Sequence, residues 1–169
     1  MKRCLHILLF VFALSSCIKE QQKGADLGVG DKIPDFTVTM SDGTQVTGAL
    51  LRNGVSVIVF FTTQCPDCQE TLPHIQQIYN EYAEKGVRFA LISREDSQTN
   101  ISAYWEKNSL TMPYSAQEDR TIYELFAKTR VPRIYLAKDG IIRSLFTDSP
   151  LPDYNILSES LNNIVRIHF

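Results

Sequence analysis

Residues 55–61 (VSVIVFF) run without polar alternation and lead, four residues on, into a pair of cysteines, Cys65 and Cys68. An unbroken apolar run of this length is the pattern of a strand covered on both faces of a sheet. After Cys65 the period changes, with Leu72, Ile75, Ile78, Tyr79 and Tyr82 recurring at helical spacing until Lys85-Gly86 closes the segment. A buried strand turning directly into an amphipathic helix commits the chain to a layered α/β fold. The two cysteines then sit at the strand-to-helix junction.

The rest of the chain fits that frame. Residues 35–40 (DFTVTM) alternate, Ser41-Asp42-Gly43 signals a turn, and residues 44–47 read as a return strand. Residues 87–92 (VRFALI) predict a second buried strand. Residues 97–108 predict a helix with Ile101, Tyr104 and Trp105 on one face, and residues 120–128 (RTIYELFAK) a further short helix. Residues 134–137 and 141–146 predict a hairpin around Lys138-Asp139-Gly140. An amphipathic helix over 153–167 ends the chain. Right-handed crossovers make the first strands parallel, and the hairpin adds antiparallel ones. The expected architecture is a mixed central sheet with helices on both faces. Phe60, Phe61, Trp105, Tyr104, Tyr123 and Phe126 are expected in its core.

The N-terminus predicts the compartment. Met1, Lys2 and Arg3 precede an eight-residue apolar run, 7–14 (ILLFVFAL). That run is too short to span a bilayer and of the right length for the apolar part of a signal peptide. Leu14-Ser15-Ser16-Cys17 resembles a bacterial lipobox, which implies cleavage after Ser16 and lipid on Cys17. The expected organisation is a lipoprotein signal peptide over 1–16, a lipidated tether over 17–30, and one domain over 31–169. By analogy, Ile18 after Cys17 supplies no obvious inner-membrane retention signal. An outer-membrane, periplasm-facing address is therefore expected over an inner one.

Of the four cysteines, Cys4 leaves with the signal peptide and Cys17 carries lipid, so Cys65 and Cys68 alone remain as thiols. A loop this short restrains the unfolded chain very little, so the pair makes a poor structural staple. At a helix N-terminus the unpaired N–H groups and the dipole favour a thiolate. Cys65 is then the exposed attacking thiol, and Cys68, one turn on, the buried resolving one. Removing Lys2 and Arg3 takes the formal net charge from −2 to −4, and no basic patch for nucleic acid is visible.

With these features the chain resembles the thioredoxin superfamily, in particular its lipid- or membrane-anchored TlpA/ResA-like thiol–disulfide oxidoreductases. Pro73 matches the proline in that family's first active-site helix. Val131-Pro132 matches the cis-proline position, which implies that these two residues help hold an extended substrate segment. The segment 95–118 matches the insertion that separates this branch from plain thioredoxin. The N-terminal hairpin with Asp42-Gly43 at its turn matches as well. The resemblance implies a thioredoxin-like three-layer fold and disulfide exchange with partner proteins through a redox-active Cys65–Cys68 disulfide. It implies no other cofactor and no metal. A monomer is expected, with an upstream redox partner protein.

The chain departs from the family at informative places. Gln64 stands where a tryptophan is usual, Val59 where thioredoxins bury an aspartate, and Thr71 where this branch often has a glutamate. Glu70 is one residue off that position, turned about 100° around the helix. Asp67, between the cysteines, opposes a neighbouring thiolate, which destabilises the reduced form and favours a reductant over an oxidant. Arg133 is expected beside the cysteines, working the other way or contacting an acidic partner. Thr62 and Thr63 are expected as a loop lip with hydrogen bonds to the Cys65 sulfur. Two rivals remain open. Thr62, three residues before Cys65, fits a peroxiredoxin of the AhpC/TSA type, although Ile58 stands where that family has proline. Cu(I) delivery through the two thiolates alone is the other. His74 is read as solvent-facing or capping a local hydrogen bond, and His168 lies beside the chain end.

Overall fold

The computed structural model describes residues 26–166. The signal peptide, Cys17, most of the tether and His168 lie outside those residues. In chain order the elements are β1 (Thr37–Thr39), β2 (Gln45–Thr47), α1 (Gly48–Leu51), β3 (Val55–Phe61), α2 (Pro66–Tyr82) and β4 (Arg88–Ser93). Then follow α3 (Gln98–Lys107), β5 (Tyr114–Ser115), a 3-10 turn (Tyr123–Leu125), β6 (Arg133–Lys138), β7 (Ile141–Phe146) and α4 (Tyr154–Arg166).

The main sheet has the order β5-β4-β3-β6-β7. β3 pairs with β4 in parallel and with β6 antiparallel, so it is the central strand. That position explains its unbroken apolar sequence. Successive side chains point to opposite faces of a strand, and both faces of β3 are covered. Phe60 meets the rings of Tyr123, Phe126 and Tyr135, with centroids 5.3, 4.9 and 6.4 Å away. Phe61 meets Trp105 of α3 at 5.1 Å. The sheet is therefore mixed and flanked by helices, as the period of the sequence predicts.

Local chemistry sets the ends of the elements. The β1–β2 hairpin turns on Asp42, whose carboxylate accepts from the Thr44 amide (2.9 Å) and hydroxyl (2.7 Å). Ser97 caps α3 by accepting from the Asn100 amide. The β6–β7 turn needs positive φ at two adjacent positions, and Asp139 (φ 49) and Gly140 (φ 79) supply it. α4 lies on α2, where the Tyr82 hydroxyl donates to Asn162 (3.0 Å) and the Tyr154 hydroxyl to Glu81 (2.6 Å).

The structure corrects one expectation and adds two elements. Residues 120–128 do not form a regular helix; only Tyr123–Leu125 turns, as a 3-10 segment. The carbonyl of Phe126 accepts from the Leu27 amide (2.8 Å) and the Tyr135 hydroxyl (3.2 Å). The amide of Lys128 bonds the Asp26 carboxylate (2.8 Å). Backbone groups that a longer helix would use internally are taken by the segment before β1 and by β6. The added elements are α1, capped by Thr47, and β5 at the sheet edge. α3 and β5 both fall within the expected insertion. Among the described residues, no helix is long and apolar enough to cross a membrane.

Candidate active site

The chain leaves the sheet at Phe61, crosses a short turn and enters α2 with Cys65 as its N-cap and Pro66 at the first helical position. Proline suits that position, because its missing N–H would have no partner there. α2 then continues through Pro73, which gives Gln69 no backbone donor. This places Cys65 at the lip of the domain and Cys68 inside it. Cys65 is half-buried, whereas Cys68 is 0% exposed, and both are free thiols.

The two sulfurs have different surroundings. Burial pushes the Cys68 thiol far above its ordinary range; a Thr62 backbone hydrogen bond opposes this, and Cys65 and the Asp67 charge add to it. The Cys65 thiol donates to the Val131 carbonyl at 3.6 Å. The Val131-Pro132 peptide bond is cis, and both residues are buried. Sequence reasoning placed this dipeptide beside the cysteines, and the fold brings it there from 66 residues away.

Thr62, Gln64, Cys65, Arg94, Arg130 and Val131 line an open groove of about 570 Å³ over the Cys65 sulfur. Its rim is charged. Arg94 pairs with Glu95 (2.7 Å), Glu95 also pairs with Arg120 (2.5 Å), and Arg130 pairs with Asp148 (3.2 Å). A cavity of the same volume, lined by Lys138, Arg143 and Ser160 among others, shares no residue with this groove and holds no cysteine.

The turn before Cys65 is held by a buried carboxylate. Asp96, 5% exposed, accepts from the Thr63 amide (3.0 Å), the Thr63 hydroxyl (2.5 Å), the Thr62 hydroxyl (3.4 Å) and the Asn100 amide group (3.1 Å). Thr63 in turn accepts from the Gln69 side chain at 2.7 Å, which ties the turn to the first turns of α2. Burial alone would raise the Asp96 carboxyl, but the bonds from Thr63 and Asn100 outweigh it and hold the group below its usual range.

Several expectations change. Thr62 and Thr63 direct their hydroxyls to Asp96 rather than to the Cys65 sulfur. Arg133 does not line the groove. It pairs with Phe60 across the β3–β6 ladder, and its side chain stays on that face, 5% exposed. There it reaches Asp26 (2.5 Å) and the Tyr135 hydroxyl (3.4 Å). Thr71 is buried, and its hydroxyl donates to the Asp67 carbonyl at 2.8 Å. Glu70 and Gln64 are exposed, and Asp67 is half-buried on the first turn of α2. His74 is half-buried, and its Nδ1 has no partner among the described residues. Among those residues no group of three or more His, Cys, Asp or Glu could hold a metal ion.

Sequence reasoning missed Asp96, Arg94 and Arg130. The first two had a signal. β3 and β4 are parallel, so the segments after their C-terminal ends emerge on one edge, where α/β folds gather their sites. Arg94-Glu95-Asp96 follows the second buried strand as Thr62-Thr63 follows the first.

Comparison with known proteins agrees with this arrangement. The sequence profile of the AhpC/TSA family matches residues 29–147. A thiol–disulfide oxidoreductase ResA from Oceanobacillus iheyensis is 28% identical over 133 residues, covering 76% of this chain and 68% of that protein. The chain spans about two thirds of the length of the curated relatives it matches. A solution structure from Bacteroides thetaiotaomicron, provisionally assigned as a protein disulfide isomerase, superposes with TM-score 0.76 at 23% identity. It covers 85% of this chain and 93% of that one. A thioredoxin-family thiol:disulfide interchange protein from Chlorobium tepidum gives 0.68 at 18% identity, with 83% and 99% coverage. These structural likenesses show a thioredoxin-like fold.

The Asp96 brace has a measurable signature. A carboxyl held below its unfolded value stabilises the fold above that value, and loses the contribution as pH falls through the folded one. Asp96→Asn should cost about 1–3 kcal/mol at pH 7, the scale for hydrogen bonds to a charged group. In urea titrations the gap to the parent should narrow as pH falls below about 4. A gap that is absent at pH 7, or that widens on acidification, would show that the carboxylate does not brace the turn.

Proposed function

The chain belongs to the AhpC/TSA family and resembles thiol–disulfide oxidoreductases of the ResA type, and from that premise we propose that it exchanges disulfides with partner proteins through Cys65 and Cys68. One observation carries the reading: the half-exposed Cys65 sulfur lies at the Val131 carbonyl, with Cys68 fully buried one helical turn behind it. In the reducing direction the Cys65 thiolate attacks one sulfur of a substrate disulfide. That S–S bond breaks, a substrate thiolate departs, and a mixed disulfide forms. Cys68 then gives its proton to the departing thiolate and attacks the Cys65 sulfur. The second substrate thiolate leaves, and the Cys65–Cys68 disulfide closes. Two electrons and the Cys68 proton pass to the substrate, whose second thiolate takes its proton from water, so no further cofactor is needed for the exchange.

The reductant direction is the one we favour. Burial disfavours the Cys68 thiolate, and the negative charge of Asp67 beside the pair adds a smaller effect in the same direction. A dithiol whose thiolate form is poorly stabilised is the more reducing partner. Val131 and Pro132 are proposed to align the substrate strand. Gln64 and Thr62 shape the groove wall, while Glu70, on the exposed surface, is the remaining carboxylate near the start of α2.

The family match and Thr62, three residues before Cys65, favour a second reading as a thiol peroxidase. The Thr62 hydroxyl donates to Asp96, which ranks this reading second.

For the anchor, we propose lipid on Cys17 after cleavage at Ser16 and a periplasm-facing, outer-membrane address; the basic start, the apolar run and the lipobox-like 14–17 support it.

Two experiments follow. With insulin as substrate, Cys68→Ser should accumulate a mixed disulfide and Cys65→Ser should form none, each losing turnover. Rapid peroxide consumption with sulfenic acid on Cys65, and no insulin reduction, would instead establish the peroxidase. In cells grown with labelled palmitate, the parent should carry label and Cys17→Ala should not. An unlabelled parent would refute the anchor.

A further inference from the structure

One wall of the groove is the segment between the 3-10 turn and β6. Its residues Thr129, Arg130 and Val131 line the groove, and the Val131 carbonyl meets the Cys65 thiol. The segment has no regular secondary structure, so side chains set its shape. One carboxylate holds both of its ends. Asp26 accepts from the Lys128 amide at 2.8 Å through one oxygen and from the Arg133 guanidinium at 2.5 Å through the other. Bonds of this charge-assisted kind are the strong ones. Arg133 is itself fixed, because it belongs to β6 opposite Phe60 and its side chain is 6% exposed. The carboxylate therefore ties Lys128 to a strand of the central sheet. The Leu27 amide adds a bond to the Phe126 carbonyl at 2.8 Å, and the Tyr123 hydroxyl donates to the Arg130 carbonyl at 2.7 Å. Asp26 precedes Lys128 by 102 residues and does not line the groove.

We propose that Asp26 is a positioning residue for protein substrates: by closing the loop from Lys128 to Arg133 it holds the groove wall in the shape that lines up a substrate strand at Cys65. The inference rests on the exchange reading and adds a residue from the far end of the chain to the same site. A wall already in shape spares the substrate the cost of ordering it on binding. Without the carboxylate, Lys128 loses its link to β6, and the wall carrying Val131 is free to shift. A small disulfide reaches the Cys65 sulfur with no strand to align, so it gains nothing from the wall. The clamp therefore acts on protein substrates and not on small ones.

The test compares two oxidants of the reduced full-length chain, insulin and the small aromatic disulfide 5,5′-dithiobis(2-nitrobenzoate), by their second-order rates. Urea transitions establish that each variant is folded under the assay conditions. Asp26→Asn should slow the reaction with insulin about tenfold, the scale of one hydrogen bond to a charged group. It should react with the small disulfide at least as fast as the parent. Asp26→Asn leaves the buried Arg133 cation without its partner, so it is paired with a second variant that severs the same link. Arg133→Met strands no buried charge, because the Asp26 side chain is 37% exposed. It should show the same split between the two substrates, and it reads the link even if Asp26→Asn folds poorly. A purely structural role would lower the urea midpoint and leave the insulin rate of the folded variants at the parent's value, which would overturn the proposal and leave the exchange reading intact. Equal slowing with both substrates would also overturn it. A parent that reacts with the small disulfide but never reduces insulin would overturn the exchange reading and the positioning role with it.

Discussion

Burial of β3 on both faces sets where everything else can go. From Ser56 to Phe61 every residue is inside, with Phe60 committed to the ring cluster of Tyr123, Phe126 and Tyr135 and Phe61 to Trp105. The strand cannot rotate or slip by one residue without moving both aromatics to the wrong side. Its exit point is therefore fixed, and with it the N-cap of α2 at Cys65, four residues later. The Cys65 sulfur at the N-cap of that helix inherits its place from packing several residues upstream. Cys68, on the inward side of the first turn, is buried for the same reason.

Polar groups complete what the aromatics begin. The turn between Phe61 and Cys65 is tied down through the hydroxyls of Thr62 and Thr63 and the Thr63 amide. Asp96 supplies the anchor from the end of the neighbouring parallel strand. Arg133 and Asp26 do similar work on the other face, drawing the segment before β1 against β6. Burial pushes the Tyr135 phenol up to about 12, so it stays a neutral donor to the Phe126 carbonyl beneath that ion pair. Removing one partner of such a pair would strand the other in a poorly solvated site.

Much of this was legible in the sequence, because the signals were local. The apolar run of β3, the helical period after Cys65, the β6–β7 turn and the closing helix all follow from neighbours within one or two turns of chain. The cysteine pair and the Val131-Pro132 dipeptide were legible through resemblance. The features that were not legible depend on contacts distant in sequence. Arg133 reads as a neighbour of the cysteines until the register with β3 shows it opposite Phe60. Residues 120–128 have helical character, but Leu27 and Asp26 bond their backbone from about a hundred residues away. Asp96 follows the second buried strand, and only the parallel pairing of β3 with β4 brings it to Thr63.

The central claim is that Cys65 and Cys68 form one two-electron couple tuned toward the reducing side. The most direct test is the reduction potential of the purified chain, equilibrated with glutathione and dithiothreitol buffers and read by alkylation of both thiols. The account predicts a single couple near about −270 mV, the range of reducing dithiols. A value near about −120 mV would make the chain an oxidant and contradict the role given to Asp67 and to the buried Cys68. Failure to form the disulfide at any poise would contradict the exchange chemistry itself.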